Sequence, residues 1–254
     1  MNIAVVTGAS SGIGLEFVKQ LENNQNIDAF WLIARREDRL NELKESLKKA
    51  AKVIPLDLSK NQDLDKYLNL LKSENPNITY LINAAGYGKF GSFKEVNTNT
   101  AFNMIDLNVK AMVFVSQESI PFMKKGAKII QIGSASTYNP LPNFNIYAST
   151  KSFLKHYSRA LHRELKEFGI SVTTVCPGWV KTDFFNRADI ETDSKNSFAK
   201  PMVEAKDVVK KAIKDANKGK DISMYGWYNN LHHFLSKILP HALLISIWQN
   251  MQKS

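Results

Sequence analysis

Thr7-Gly8-Ala9-Ser10-Ser11-Gly12-Ile13-Gly14 follows the apolar run Asn2-Ile3-Ala4-Val5-Val6 and leads into an amphipathic segment over 12–23. A buried strand, a glycine turn and a helix in that order set the reading of the whole chain. Glycines in a GxxxGxG pattern let the backbone turn tightly and let a phosphate approach it, while the following helix offers unpaired N–H groups and its positive dipole end. Gly8, Ser10, Ser11, Gly12, Ile13 and Gly14 are therefore expected to cradle the pyrophosphate of a dinucleotide. The pattern alone is weak, since glycine turns after strands are common; its place between strand and helix strengthens it.

Outward from this turn, apolar runs keep alternating with amphipathic segments. Val/Ile/Leu-rich runs at 3–7, 29–34, 52–55, 80–83, 128–132 and 171–176 read as strands buried on both faces, and 12–23, 36–49, 61–75, 97–124 and 147–168 read as helices. That alternation predicts an α/β fold, a doubly wound parallel sheet, as one domain over 1–254. From 183 to 202 the periodicity weakens into polar residues, which suggests a substrate lid. The tail from 222 to 254 mixes Trp227, Tyr228, Phe234 and Trp248 with Leu and Ile, consistent with an amphipathic helix pair broken at Pro240.

Composition narrows the function classes. The 254 residues carry 34 Lys and Arg against 24 Asp and Glu, a formal charge of +10 that favours anionic ligands, and 44% are hydrophobic, as in an ordinary globule. No basic strand interleaved with aromatics is present, so nucleic acid is not an expected partner. The lone Cys176 cannot form an intramolecular disulfide, and the chain starts on a strand-like run without a signal segment, so a cytoplasmic location is expected. No metal site is expected. The stretch 242–248 is too short to cross a bilayer.

The second strand run ends in Ala34-Arg35-Arg36, where an NAD-binding sheet of this kind usually carries an acid that accepts from the adenosine ribose hydroxyls. Two guanidinium groups instead suit a 2′-phosphate, so NADP(H) is the expected cofactor and NAD(H) the alternative. The bland alternative is that one arginine, Arg36 before Arg35, merely caps the solvent edge.

Tyr147-Ala148-Ser149-Thr150-Lys151 places a phenol and an ammonium one turn apart on one helix face. A tyrosine, with a usual pKa of about 10, is a poor base near neutrality; a fixed cation, joined by an oxidised nicotinamide, favours its phenolate. Tyr147 can then exchange a proton with an alcohol or carbonyl oxygen. Alone, such a pair is usually a surface contact. Thirteen positions upstream, however, Gly133-Ser134-Ala135-Ser136 puts a hydroxyl at the C-terminal edge of the sheet, where Ser134 can bond a substrate oxygen as charge develops on it.

Together these motifs resemble a short-chain dehydrogenase/reductase, over roughly the first three quarters of the chain and in the family's order. The matching residues are 7–14, Asp57 in Asp57-Leu58-Ser59, Asn83-Ala84-Ala85-Gly86, Asn108 in Leu107-Asn108-Val109, Ser134, Tyr147, Lys151, and Pro177-Gly178-Trp179-Val180-Lys181-Thr182. The resemblance implies a Rossmann-like sheet and a catalytic set of Asn108, Ser134, Tyr147 and Lys151. It implies a cofactor set that adds Asp57, at adenine, with Leu58; Asn83, which supports the central sheet, with Ala84, Ala85 and Gly86; and Pro177, Gly178, Val180 and Thr182, of which Val180 and Thr182 hold the carboxamide. It further implies that Lys151 binds the nicotinamide ribose and that Asn108 anchors a proton relay reaching Lys151. The bland alternatives are turn formation for Asp57 and Asn83, a helix irregularity for Asn108 and a helix cap for Thr182.

Two departures stand out. Ala84 takes the place of a second Asn often found in the family, and 221–226 lacks the glycine pair many members use in tetramers. The resemblance implies instead a homodimer through helices 97–124 and 147–168, with a tetramer as the alternative. The segment 88–93, Tyr138, Leu141 and Phe144, and the loop 183–202 are expected to form a pocket whose aromatics, Phe90, Phe93, Trp179, Phe184 and Phe185 among them, suit a lipophilic ketone or secondary alcohol. The tail fits a peripheral membrane helix, but packing across the pocket or a dimer interface is the favoured reading. A catalytically silent dinucleotide sensor or scaffold of the same fold is the rival to an enzyme.

Overall fold

Alternate side chains of each central strand serve opposite faces of one sheet, and this is why the apolar runs are continuous. In the computed structural model, which describes residues 1–188 and 202–252, the elements are β1 (Asn2–Thr7), α1 (Gly12–Leu21), β2 (Ala29–Ala34), α2 (Glu37–Ser46), β3 (Ala50–Pro55), α3 (Asn61–Glu74), β4 (Asn77–Asn83), α4 (Thr98–Ile105), α5 (Ala111–Ser119), β5 (Met123–Ile132), α6 (Asn145–Glu164), β6 (Ser171–Val175), α7 (Phe184–Ala188), α8 (Ala205–Asn217), β7 (Ile222–Ser223), α9 (Trp227–Ile238) and α10 (His241–Met251). The strands pair in the order β3-β2-β1-β4-β5-β6-β7, all parallel. The result is a Rossmann-like doubly wound sheet with helices after it.

Ile3 and Val5 of β1, with Trp31 and Ile33 of β2, join one core completed by Tyr67 and Leu71 of α3, Val115 of α5 and Leu161 of α6. Ala4 and Val6, with Phe30 and Leu32, join the other, against Phe17 and Leu21 of α1, Leu40 of α2 and Val208 and Ala212 of α8. Each Val, Leu, Ile or Phe side chain so buried contributes about 1.5–3 kcal/mol. Order reverses between β1 and β4, and at such a switch point a crevice opens beyond the strands' C-terminal ends.

Three differences from the sequence reading have physical reasons. The single helix read over 97–124 is three pieces: α4, a π-turn at Asp106–Lys110 and α5. It then ends in a short 3₁₀ turn at Ile120–Phe122, because Pro121 has no N–H with which to continue an α-helix. Residues 123 and 124 belong to β5. Second, α8 was hidden behind the weakly patterned stretch before it, although Val208, Val209, Ala212 and Ala216 give it an apolar face. Third, β7 is only two residues long, too short for any periodicity. Of the expected lid, α7 is described and 189–201 lies outside the described residues.

A buried carboxylate ties these last elements together. Asp215 of α8 pairs with Lys211 and Lys220 and accepts a hydrogen bond from Ser223 Oγ of β7 at 2.8 Å. Burial by itself would raise its pKa, but the bonds from Lys211, Ser223 and Lys220 outweigh that and hold it below the usual carboxylate range. A folded-state pKa below the unfolded value adds stability that is present above about pH 4 and disappears as pH falls through the folded value. Asp215→Ala should cost about 1–3 kcal/mol at neutral pH. In thermal melts, its deficit against the parent protein should shrink as the pH is lowered below about 4.

Candidate active site

The glycine turn closes on the end of β4. Gly8 has φ +68°, and a Cβ there would lie 2.8 Å from the Ala85 nitrogen; one on Gly14 would lie 2.3 Å from the Gly8 carbonyl oxygen. Only side-chain-free residues let β1, the N-terminus of α1 and the Ala84-Ala85 turn come this close. Thr7 Oγ1 fastens the junction by accepting from the Ala84 and Ala85 N–H groups, each at 3.1 Å. Gly8, Ser10, Ser11, Gly12, Ile13 and Gly14 line one end of a cleft of about 660 Å³.

Arg36 lies across this turn, its Nη2 donating to Ser11 Oγ at 2.9 Å and Ser10 Oγ at 3.3 Å. Arg35 lines the same end of the cleft and is exposed. Asp57 and Leu58 follow along the wall. Asp57 also forms its own turn, its Oδ1 accepting from Ser59 Oγ at 2.8 Å and from Ser59 N–H at 3.2 Å. Arg39 of α2 pairs with Asp183 at 3.4 Å; both are well exposed, so this pair adds little stability.

At the cleft's centre, α6 presents Tyr147 and Lys151 on one face, both buried. Lys151 Nζ donates to the Ile132 carbonyl at the end of β5, at 2.7 Å, and sits 5.7 Å from the centre of the Tyr147 ring. Phe144 stacks on that ring at 4.4 Å, and Phe184 tilts against it at 5.5 Å. Burial pushes the Tyr147 phenol up to about 12, while a hydrogen bond with the Ser134 side chain pulls the other way. Burial likewise pushes the Lys151 ammonium down to about 8. The sequence reading had the ammonium and an oxidised nicotinamide together favour the phenolate; in the structure the ammonium donates to a carbonyl, and desolvation dominates both groups.

Ser134 caps a 3₁₀ turn at Ala135–Tyr138, accepting from Ser136 N–H at 3.1 Å. Ala84, Ala85, Gly86, Ser134, Pro177, Gly178, Val180 and Thr182 all line the cleft. Thr182 reaches back to the glycine turn, 3.3 Å from where a Cβ of Gly12 would be. Asn83 and Asn108 do not line it. Asn83 Nδ2 donates to Ser116 Oγ at 3.0 Å inside the core. Asn108, on the π-turn, bonds both backbone groups of Tyr87 and donates to Thr150 Oγ1 at 3.1 Å, which ties the segment after Gly86 to α6.

Beyond Tyr147 the cleft is apolar, with Leu141, Phe144, Trp179, Phe184 and Phe185 on its wall. Three aromatics expected there stand elsewhere. Phe93 is 80% exposed, Phe90 packs behind Phe144 at 5.8 Å, and Tyr138 faces His233 at 4.2 Å. The roof is supplied by α9, α10 and the link between them through Asn229, His232, Leu235, Leu239, Leu244 and Trp248, residues the sequence reading did not single out except Trp248. The i, i+4 pair Leu244 and Trp248 was the available signal for an inward face.

The chain matches the family model for short chain dehydrogenase over residues 2–193. It is 32% identical over 200 residues to an uncharacterized oxidoreductase of Staphylococcus epidermidis, covering 76% of this chain and 86% of that one. Among solved structures it resembles a short-chain dehydrogenase from Sphingobium yanoikuyae in complex with NADPH, with TM-score 0.79 and 24% identity over 95% of this chain and 98% of that one. It also resembles the closed form of a serine dehydrogenase complexed with NADP+, with TM-score 0.75 and 26% identity over 89% and 94%. The chain thus belongs to the short-chain dehydrogenase family and is an NAD(P)-dependent oxidoreductase.

Proposed function

We propose that the protein transfers a hydride between NADP(H), in preference to NAD(H), and a lipophilic ketone or secondary alcohol, with Tyr147 as the acid/base. The observation that carries this reading is the burial of Tyr147 and Lys151 on one face of α6, at the middle of a cleft with a glycine cradle at one end and apolar walls at the other. The residues fit the dinucleotide: the turn around Gly8 and Gly14 has no room for a side chain, and Arg36 lies over its two serine hydroxyls. When bound, the dinucleotide supplies or accepts the hydride.

The chain's own groups manage the proton. In the reducing direction the Tyr147 phenol donates to the substrate oxygen, and Ser134, bonded to that phenol, holds the oxygen beside it. Lys151 binds the ribose hydroxyls and keeps a positive charge near the phenol. Asn108 holds the Gly86-Tyr87 segment against α6 and anchors the relay that serves Lys151. Asp57 and Leu58 hold adenine, and Ala84, Ala85, Gly86, Pro177, Gly178, Val180 and Thr182 line the nicotinamide half. Arg35 and Arg36 hold the 2′-phosphate, a reading supported by their place at the glycine-turn end of the cleft. A homodimer through α4, α5 and α6 is supported by the exposed Phe102, Ile105 and Phe153.

Tyr147→Phe should lower ketone reduction by roughly 10²–10⁴-fold while NADPH binding changes little; full turnover in this variant would end the assignment. Because reduction needs both the phenol and the ammonium protonated, kcat/KM should be level below pH 8 and fall as pH rises through the Lys151 value of about 8, well before the phenol at about 12. A profile flat through pH 9 would contradict the role of Lys151. Arg36→Ala should weaken NADPH binding by about tenfold or more and leave NADH within a few fold; calorimetry showing equal losses for both cofactors would refute a 2′-phosphate contact.

A further inference from the structure

Helices α9 and α10 have two apolar faces. The inner face roofs the cleft and is firmly docked: Trp248 Nε1 donates to the Pro142 carbonyl at 2.8 Å, and His232 Nε2 is hydrogen-bonded to Asn139 Nδ2 at 2.8 Å. The outer face carries a stripe of Trp227, Leu231, Phe234 and Ile238 along α9, spaced four, three and four apart, with Leu243 and Ile247 on α10. All six are exposed, Trp227 at 75%, and Phe234 and Ile238 near 60%. Leu231 and Ile247 also line the cleft, so the stripe runs into its mouth. A contiguous exposed patch of this kind marks an interaction surface.

Charge selects the partner. After Asp221 the sequence contains no Asp or Glu to position 254, but it has Lys237 and Lys253, and Lys237 is exposed on α9; His232 and His233 face Asn139 and Tyr138 instead, and burial holds both below the usual imidazole range. A two-fold contact between two such faces would bring lysines together with no acid on either helix to pair them. An anionic headgroup layer satisfies them, with apolar and aromatic side chains at the headgroup–acyl boundary. No described helix is long and apolar enough to cross a membrane, so the contact is one of lying on the surface. We propose that α9 and α10 seat this protein on an anionic lipid surface, with the mouth of the cleft opening against it. The seating rests on the stripe and its charge alone; uptake of a lipophilic substrate from the lipid rests also on the function proposed above.

The test is sedimentation of the full chain with phosphatidylcholine vesicles, with and without phosphatidylglycerol. The protein should pellet with the phosphatidylglycerol vesicles and be released by salt. The double variant Trp227→Glu, Phe234→Glu should bind about tenfold or more weakly, since two large apolar side chains leave the interface. Neither residue lines the cleft, so unchanged NADPH binding shows that the variant is folded. Equal recovery of parent and variant in the supernatant, or equal pelleting of both, overturns the proposal. So does a dimer in light scattering that the variant abolishes while neither protein pellets, because the stripe is then a self-interface. Pelleting without turnover of any carbonyl would sustain the seating and count only against the reaction.

Discussion

A buried ammonium bonded to a strand-end carbonyl is the constraint around which the site is organised. Lys151 reaches the Ile132 oxygen at 2.7 Å, and this bond fixes α6 at the C-terminal edge of β5. An uncompensated charge in such a place is costly, so the geometry persists only because the helix, the strand end and the segment held by Asn108 converge on it. The same convergence delivers Tyr147 and Ser134 to one spot.

Electrostatically, the folded site favours a phenol that keeps its proton and an ammonium that gives its proton up more readily than in water. Such a site is prepared to donate to a developing oxyanion. Acting as a base needs further positive charge near the phenol, since the aromatic walls of Phe144 and Phe184 exclude the solvent that would otherwise stabilise a phenolate. Selection of a proton-donating state is thus a consequence of packing as much as of the Tyr–Lys spacing.

The helices of the segment after β7 are apolar on two sides. One side completes a cleft that the sheet and its crossover helices leave open; the other remains outside. The docking of Asn229 over Gly178, where any Cβ would collide with the amide, couples this roof directly to the loop that lines the cleft with Tyr147 and Lys151.

Much of the molecule was legible in the residues themselves. Continuous apolar runs identify strands buried on both faces, and glycines at 8, 12 and 14 identify a turn that must admit another backbone, because both are local demands on side-chain volume and polarity. The i, i+4 spacing of Tyr147 and Lys151 was equally local. What α8 and the two-residue β7 pack against was not, nor was the break in the helix at 106–110, whose amide is claimed by a backbone segment twenty-one positions away. Tertiary structure alone decided that the ammonium bonds the Ile132 carbonyl, that Asn83 and Asn108 stand behind the cleft, and that Phe93 turns outward while α9 and α10 form the roof. Those outcomes depend on which surfaces meet across long sequence separations, and local periodicity carries no information about that.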